Sequence, residues 1–388
     1  MLPFNKIAGL MLAVCSIGAC NQKHTKVPDP QAKKVYMVPY DTLKEDLAGF
    51  ISGTVHGKSG CLGRLDTATN WKQFSFRIDS GFYDLDTSRF AKMGIWADSE
   101  LKKRFTATPV FYPFGGPDFL NANIFYPNAQ EYVLIGLEPV GELPDLCNML
   151  VDQINKYLED IRYSLKDIFK RSYFITGNMI DALKKSSVNG AVPIICLFIE
   201  RMGYNIVSIN HAVIDSSGKC DTGDSLKNIK HVTHGTKIEF AADTGRRIQS
   251  VYYFSTDISN DGLKKNPGFK KYLSLIPKCH TYLKAASYLM HGNDFSIIRN
   301  YILEKSSTIL QDDSGIAYRF FDQKIWDIHL YGKYIRPGKD FSWINETDLA
   351  KAYTSPSIKS LPFTLGYNWR SRQINLLYAE RKQLYNGK

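Results

Sequence analysis

Between Val110 and Glu138 the chain reads as strand, glycine turn, short helix and second strand, within about thirty residues. Val110-Phe111-Tyr112 is the first apolar strand. Pro113-Phe114-Gly115-Gly116-Pro117-Asp118 is the turn, and Pro117 with Asp118 starts a helix over 118–122. Pro127-Asn128 breaks it, Tyr132 to Leu137 forms a buried second strand, and Glu138-Pro139 closes the unit. A unit of this kind needs helices packed over a sheet. It predicts an α/β fold, a mixed sheet with flanking helices, in two linked halves.

Other segments add elements to that frame. Asp41 caps a helix through Phe50. Trp71 to Ile78 alternates through Phe74, Phe76 and Ile78 and reads as a strand. Asp145 caps a long amphipathic helix with Leu146, Leu150, Ile154, Leu158, Ile161, Leu165 and Ile168 on one face. A helix over 180–183 follows. Ile194 to Ile199 and Asn205 to Ile209 read as strands. The polar stretch 215–235 divides a first half, 36–214, from a second, 236–388. In the second half Ser250 to Phe254 is a strand, and 257–268 a polar loop. Helices are expected over Phe269 to Met290 and from Asn293 or Asp294 to Leu310, then a hairpin of Ile316 to Phe321 and Ile325 to Tyr331. The end, from Pro356, reads as irregular and then helical. Val110 to Phe114 and Val251 to Phe254 echo each other, each preceding an acid and a helix, as a duplication would leave them.

The first nineteen residues read as an export signal: Lys6, then an apolar run from Ile7, too short to span a bilayer. Residues 20–35 read as a tether without periodicity. Ile17-Gly18-Ala19-Cys20 resembles the lipobox of bacterial lipoproteins. That resemblance implies a lipid on Cys20, cleavage before it, and attachment to a membrane of the cell envelope. Asn21 and Gln22, in place of Asp, favour the outer membrane over the inner. The net charge of +11 is scattered as basic pairs and triplets, such as Lys102-Lys103-Arg104 and Lys270-Lys271, and not as one stripe. Anionic lipid or a glycan is the partner such a surface suits, and no nucleic-acid module is present. Nothing in the sequence fixes an oligomeric state. Seven cysteines leave five after Cys15 and Cys20. Cys147 and Cys196 read as buried thiols. Among Cys61, Cys220 and Cys279, one disulfide fits an oxidising compartment.

Three segments, Phe111 to Leu120 (FYPFGGPDFL), Val133 to Gly141 (VLIGLEPVG) and Gln311 to Phe321 (QDDSGIAYRFF), resemble a family of uncharacterised bacterial proteins. The resemblance covers most of the mature chain and implies no activity.

Several residue groups are candidates for chemistry. Asp118, Glu138, Asp257 and the pair Asp312-Asp313 fall at expected strand or helix ends, which gather at one rim of such a sheet. Two of them converging across a cleft would serve as the acid and base of an envelope hydrolase acting on glycan or ester. Gly115 and Gly116, with Glu138, also match the layout of a nucleotide-binding half, which methyltransferases share: glycines admit the ligand backbone and the acid takes ribose hydroxyls. Pro117 and the short helix depart from that pattern, and an exported chain meets such cofactors rarely. Gly57-Lys58-Ser59 lacks the glycine spacing of a phosphate loop. Asp79, Asp221, Asp243 and Asp313 head Asp-Ser/Thr-Gly triplets, which are good turns. His231 and His234 lack a third ligand, so no metal is expected. The leading expectation is a membrane-anchored binding or envelope protein that needs no cofactor. A hydrolase and a nucleotide or S-adenosylmethionine domain are the alternatives.

Overall fold

The computed structural model describes residues 41–54, 60, 62–174, 187–242, 247–367 and 373–383. The export signal, the tether, Cys20, Gly57-Lys58-Ser59, Asp243 and the helix expected over 180–183 lie outside them.

The strand–turn–helix–strand unit is the centre of the molecule. β1 (Val110–Tyr112) is buried throughout, and β2 (Glu131–Gly136) runs parallel to it, Val110 opposite Tyr132 and Tyr112 opposite Leu134. Tyr112, Tyr132 and Leu134 enter one core, while Phe111, Val133 and Ile135 enter another. This is the two-residue alternation of a strand covered on both faces. Between the strands lies the fully buried Phe119–Phe125 helix.

The sheet grows outwards from β1 in both directions. β6 (Ile248–Ser255) pairs in parallel with β2. On the other side β7 (Cys279–Leu283) pairs in parallel with β1, and β8 (Ser306–Gln311) with β7. Antiparallel wings extend both ends: β3 (Tyr204–Ile214), β4 (Cys220–Thr222) and β5 (Thr233–Ala242) beyond β6, and β10 (Asn375–Arg381) then β9 (Trp326–Gly332) beyond β8. The order is β4-β3-β5-β6-β2-β1-β7-β8-β10-β9. The expected α/β class, a mixed sheet with flanking helices, is what the chain forms. One sheet takes strands from both halves, and the polar 215–235 stretch is the β3–β4–β5 connection within it.

Twelve helices of the described residues matter for the layers. α1 (Thr42–Ser52), α2 (Leu62–Ala68), α3 (Trp71–Leu85), α4 (Ala91–Glu100), α5 (Phe119–Phe125), α6 (Val151–Ser164), α7 (Lys166–Arg171) and α8 (Ala191–Arg201) contribute to the first core. α9 (Asn260–Lys265), α10 (Pro267–Leu275) and α11 (Ser296–Lys305) cover the opposite face, and α12 (Thr347–Ala352) lies near the end of the chain.

Asp41 caps α1 as expected, its side chain accepting from the Lys44 amide. Several expectations are corrected. Trp71 to Ile78 is helical: Trp71, Phe74 and Ile78 are buried and Phe76 is exposed, so the burial period is that of a helix. Ile194 to Ile199 belongs to α8, whose apolar residues lie on every side because it is buried on every side. The helices expected over 269–290 and 293–310 end early, at Leu275 and Lys305, and yield to β7 and β8. Residues 316–321 contain a short 3-10 turn, so β9 pairs with β10 instead of forming a hairpin, and the expected helical end is the strand β10.

Candidate functional site

All five parallel strands point their carboxyl ends at the same edge, and the chain leaves β1 for β2 on one side while β7 lies on the other. Such a reversal opens a crevice at the strand ends. Along that edge stand Asp257 after β6, Glu138 after β2, Gly115 to Asp118 after β1, Lys284 after β7 and Asp312-Asp313 after β8.

Two clefts share this edge. The first opens between the β1 turn, the ends of β2 and β6, and the turn after β7. Glu138 and Asp257 line it with Gly116, and Phe114 and Phe295 meet edge-on at 5.7 Å along its apolar side. Glu138 is 2 % exposed, and its Oε2 accepts from the Tyr253 hydroxyl at 3.2 Å. Burial raises its carboxyl above the usual carboxylate range. Gly116 has φ +56°, and a Cβ there would stand 3.2 Å from Glu138 Oε2; a Cβ on Gly136 would overlap the same carboxylate. These two glycines therefore make the space that Glu138 occupies. A Cβ on Gly115 would meet the Tyr112 ring at 2.7 Å. Asp257 is exposed and accepts from the Ser259 amide at 2.8 Å.

The second cleft shares Phe114, Ala285 and Ser287 with the first. Its floor holds Asp118 and Lys284, its sides Arg171, Tyr173, Asp340 and Tyr367. Asp118 accepts from Lys284 Nζ at 2.5 Å, from the Tyr112 hydroxyl at 2.9 Å and from the Asn121 amide nitrogen at 2.8 Å, while also capping α5. Lys284 also donates to the Ser172 carbonyl. Burial pulls the Lys284 ammonium below its ordinary value, with Asp118 acting against that. Asp312 accepts from the Ala285 and Ser314 amides and so ties β8 to the turn after β7. Asp313 lies deeper, bonded to the Tyr288 hydroxyl at 2.9 Å and Asn375 at 3.1 Å. Burial, then the charge of Asp312, pushes it up to about 7.

Backbone strain gathers here too. Of six non-glycine residues with left-handed φ among the described residues, Phe114, Ala285, Ser287 and Tyr288 form the two turns between the clefts, and Ser172 holds Lys284. Such conformations persist only where surrounding contacts enforce them, and they concentrate at ligand sites.

Comparisons with family models, with curated proteins and with solved structures give no match. The site is therefore read from its geometry.

Of the four acids singled out from sequence, Glu138 and Asp257 meet at the first cleft, Asp118 floors the second, and Asp313 is buried behind it. Gly115 borders the second cleft and Gly116 the first. Lys284, Tyr253, Arg171, Asp340 and Tyr367 were not picked out. Lys284 directly follows β7, whose Cys-His-Thr-Tyr-Leu sequence mixes polar and apolar residues and gives no strand signal. The others come to the rim from distant segments. Among the described residues no three His, Cys, Asp or Glu side chains are grouped to hold a metal ion. Cys147 is disulfide-bonded, not a free buried thiol, and Cys196, Cys220 and Cys279 are free.

Proposed function

We propose that the first cleft binds a nucleoside-type ligand, with Glu138 accepting hydrogen bonds from the two ribose hydroxyls. The observation that carries this reading is the buried Glu138 at the end of the second parallel strand, its carboxylate packed against Gly116 where both line the crevice. The apolar side built by Phe114, Ile258, Leu289 and Phe295 suits a base. The strand order adds support. Numbered in chain order, β1, β2, β6, β7, β8, β9 and β10 run 3-2-1-4-5-7-6, with only the seventh antiparallel. This extends the order of dinucleotide-binding sheets and is the arrangement of methyltransferase domains, a likeness of topology alone. A hydrolase keeps one pair of acids, Glu138 and Asp257, which line the first cleft together, whereas Asp118 is held by Lys284 and Asp313 lies outside both clefts.

Calorimetric titration of the full chain with adenosine, 2′-deoxyadenosine and S-adenosylhomocysteine tests the reading. Adenosine should bind about tenfold more tightly than its deoxy form, and Glu138→Gln should erase that difference, as expected when a charged acceptor is lost. Tighter binding of S-adenosylhomocysteine than of adenosine would extend the pocket to a methyltransferase-type ligand. No heat from any of the three sinks the proposal.

A second reading concerns place. We propose that the chain is exported and anchored in the cell envelope, in the outer membrane before the inner, through lipid on Cys20. Ile17-Gly18-Ala19-Cys20 supports it, and the disulfide at Cys147 suits an oxidising compartment. No helix among the described residues is long and apolar enough to cross a membrane. Cys20→Ser should move the protein out of the membrane fraction; unchanged attachment rules the anchor out. In that setting the ligand of the first cleft would be one met outside the cytoplasm.

A further inference from the structure

The second cleft has a different chemical character from the first. Six of its thirteen lining residues are aromatic. Tyr367 is its pivot, with Tyr173 edge-on at 5.0 Å and Phe341 at 4.9 Å. The Tyr367 hydroxyl donates to the Ala285 carbonyl at 2.8 Å and accepts from the Ser287 amide at 3.2 Å, so the platform is fixed to the strained turn after β7. Tyr173, Phe341 and Tyr367 all remain partly exposed. Packed rings that keep accessible surface are suited to receive another ring.

The charges around that platform are balanced. Lys284 is paired with Asp118 at 2.5 Å, and Arg171 with Asp167 at 3.2 Å. Asp340 is exposed and forms no ion pair among the described residues. Among the described residues the cleft therefore holds no surplus positive charge of the kind a phosphate or carboxylate ligand requires. It retains an acceptor, Asp340, and a donor, Arg171, beside aromatic faces. A ligand with one apolar face and hydroxyls at its edge matches all of these features.

We infer that the second cleft binds a neutral sugar ring, packed against Tyr173, Phe341 and Tyr367 with its hydroxyls bonded to Asp340 and Arg171. The site is separate from that of Glu138, and the inference does not depend on the nucleoside reading. The two clefts meet at Phe114, Ala285 and Ser287, so a glycan in one would lie next to the ligand of the other.

The test titrates the full chain with maltotriose and with triacetylchitotriose. One of them should bind with Kd of about 0.1–1 mM. Asp340→Ala and Tyr173→Leu should each weaken it about tenfold, while Glu138→Gln leaves it unchanged. Asp340 is exposed and unpaired, so its variant tests binding in an intact fold even if Tyr173→Leu fails to fold. Absence of heat from both trisaccharides up to about 10 mM overturns the inference. So does unchanged binding by Asp340→Ala, or stronger binding of glucose 6-phosphate than of either neutral sugar.

Discussion

Glu138 and Asp118 are both buried acids at the ends of neighbouring parallel strands, yet they stand in opposite circumstances. Asp118 is enclosed by donors: a lysine, a tyrosine, an asparagine and a helix amide. It joins β1, α5 and β7, and its capacity to accept is taken up by the fold. Glu138 accepts from backbone amides and from one side-chain donor, Tyr253, whose hydroxyl also donates to the Glu138 carbonyl, and two glycines pack against its carboxylate. Burial raises its carboxyl, its hydrogen-bond donors offset only part of the lost hydration, and it has no paired cation among the described residues. A strand-end acid therefore serves as a brace or as a ligand group according to whether the tertiary structure brings a buried cation to it.

Variants at these acids can break that comparison. Asp118→Ala leaves the buried Lys284 ammonium without its counter-charge, and should cost about 3–5 kcal/mol in denaturant unfolding. Adding Lys284→Met should recover much of the loss. If Asp118→Ala costs less than about 1 kcal/mol, Asp118 is no brace. Asp313 offers an intermediate case that pH can resolve. Its folded value, about 7, lies above the ordinary value of 3.8. The folded state therefore holds a proton that the unfolded chain releases, and the contribution of Asp313 to stability falls as pH rises from about 4 to about 7. Asp313→Asn should remove that contribution and change the slope of melting temperature over the window; an unchanged slope excludes Asp313 as a source. The smallest effect on stability should be that of Glu138→Gln, within about 1 kcal/mol, although the same change has the largest effect on adenosine binding. A large loss of stability there would place Glu138 with Asp118, among the braces.

The legible and illegible parts of the chain differ for a physical reason. The β1–α5–β2 unit was read correctly because its signals are local: a glycine turn, a capping aspartate, a proline break. β7 and β8 were read as helix continuations, although β7 is the neighbour of β1 at the crevice. Cys279–Leu283 is buried on both faces, and so shows no alternation to distinguish it from the helix before it. With β7 mistaken, Lys284 could not be placed opposite Asp118, nor the 285–288 turn between two clefts.

The sequence by itself determined the α/β class, the central βαβ unit, the caps of α1 and α5, and the presence of acids at strand ends. These follow from short-range periodicity and turn chemistry, which act within a few residues. Tertiary structure alone decided that β7 would complete the parallel core, that Lys284 would neutralise Asp118, and that Tyr173, Asp340 and Tyr367 would share a cleft. Those outcomes depend on pairing between segments tens to hundreds of residues apart. The free energy of such pairing comes from burial and charge compensation at the contact, which no single segment carries.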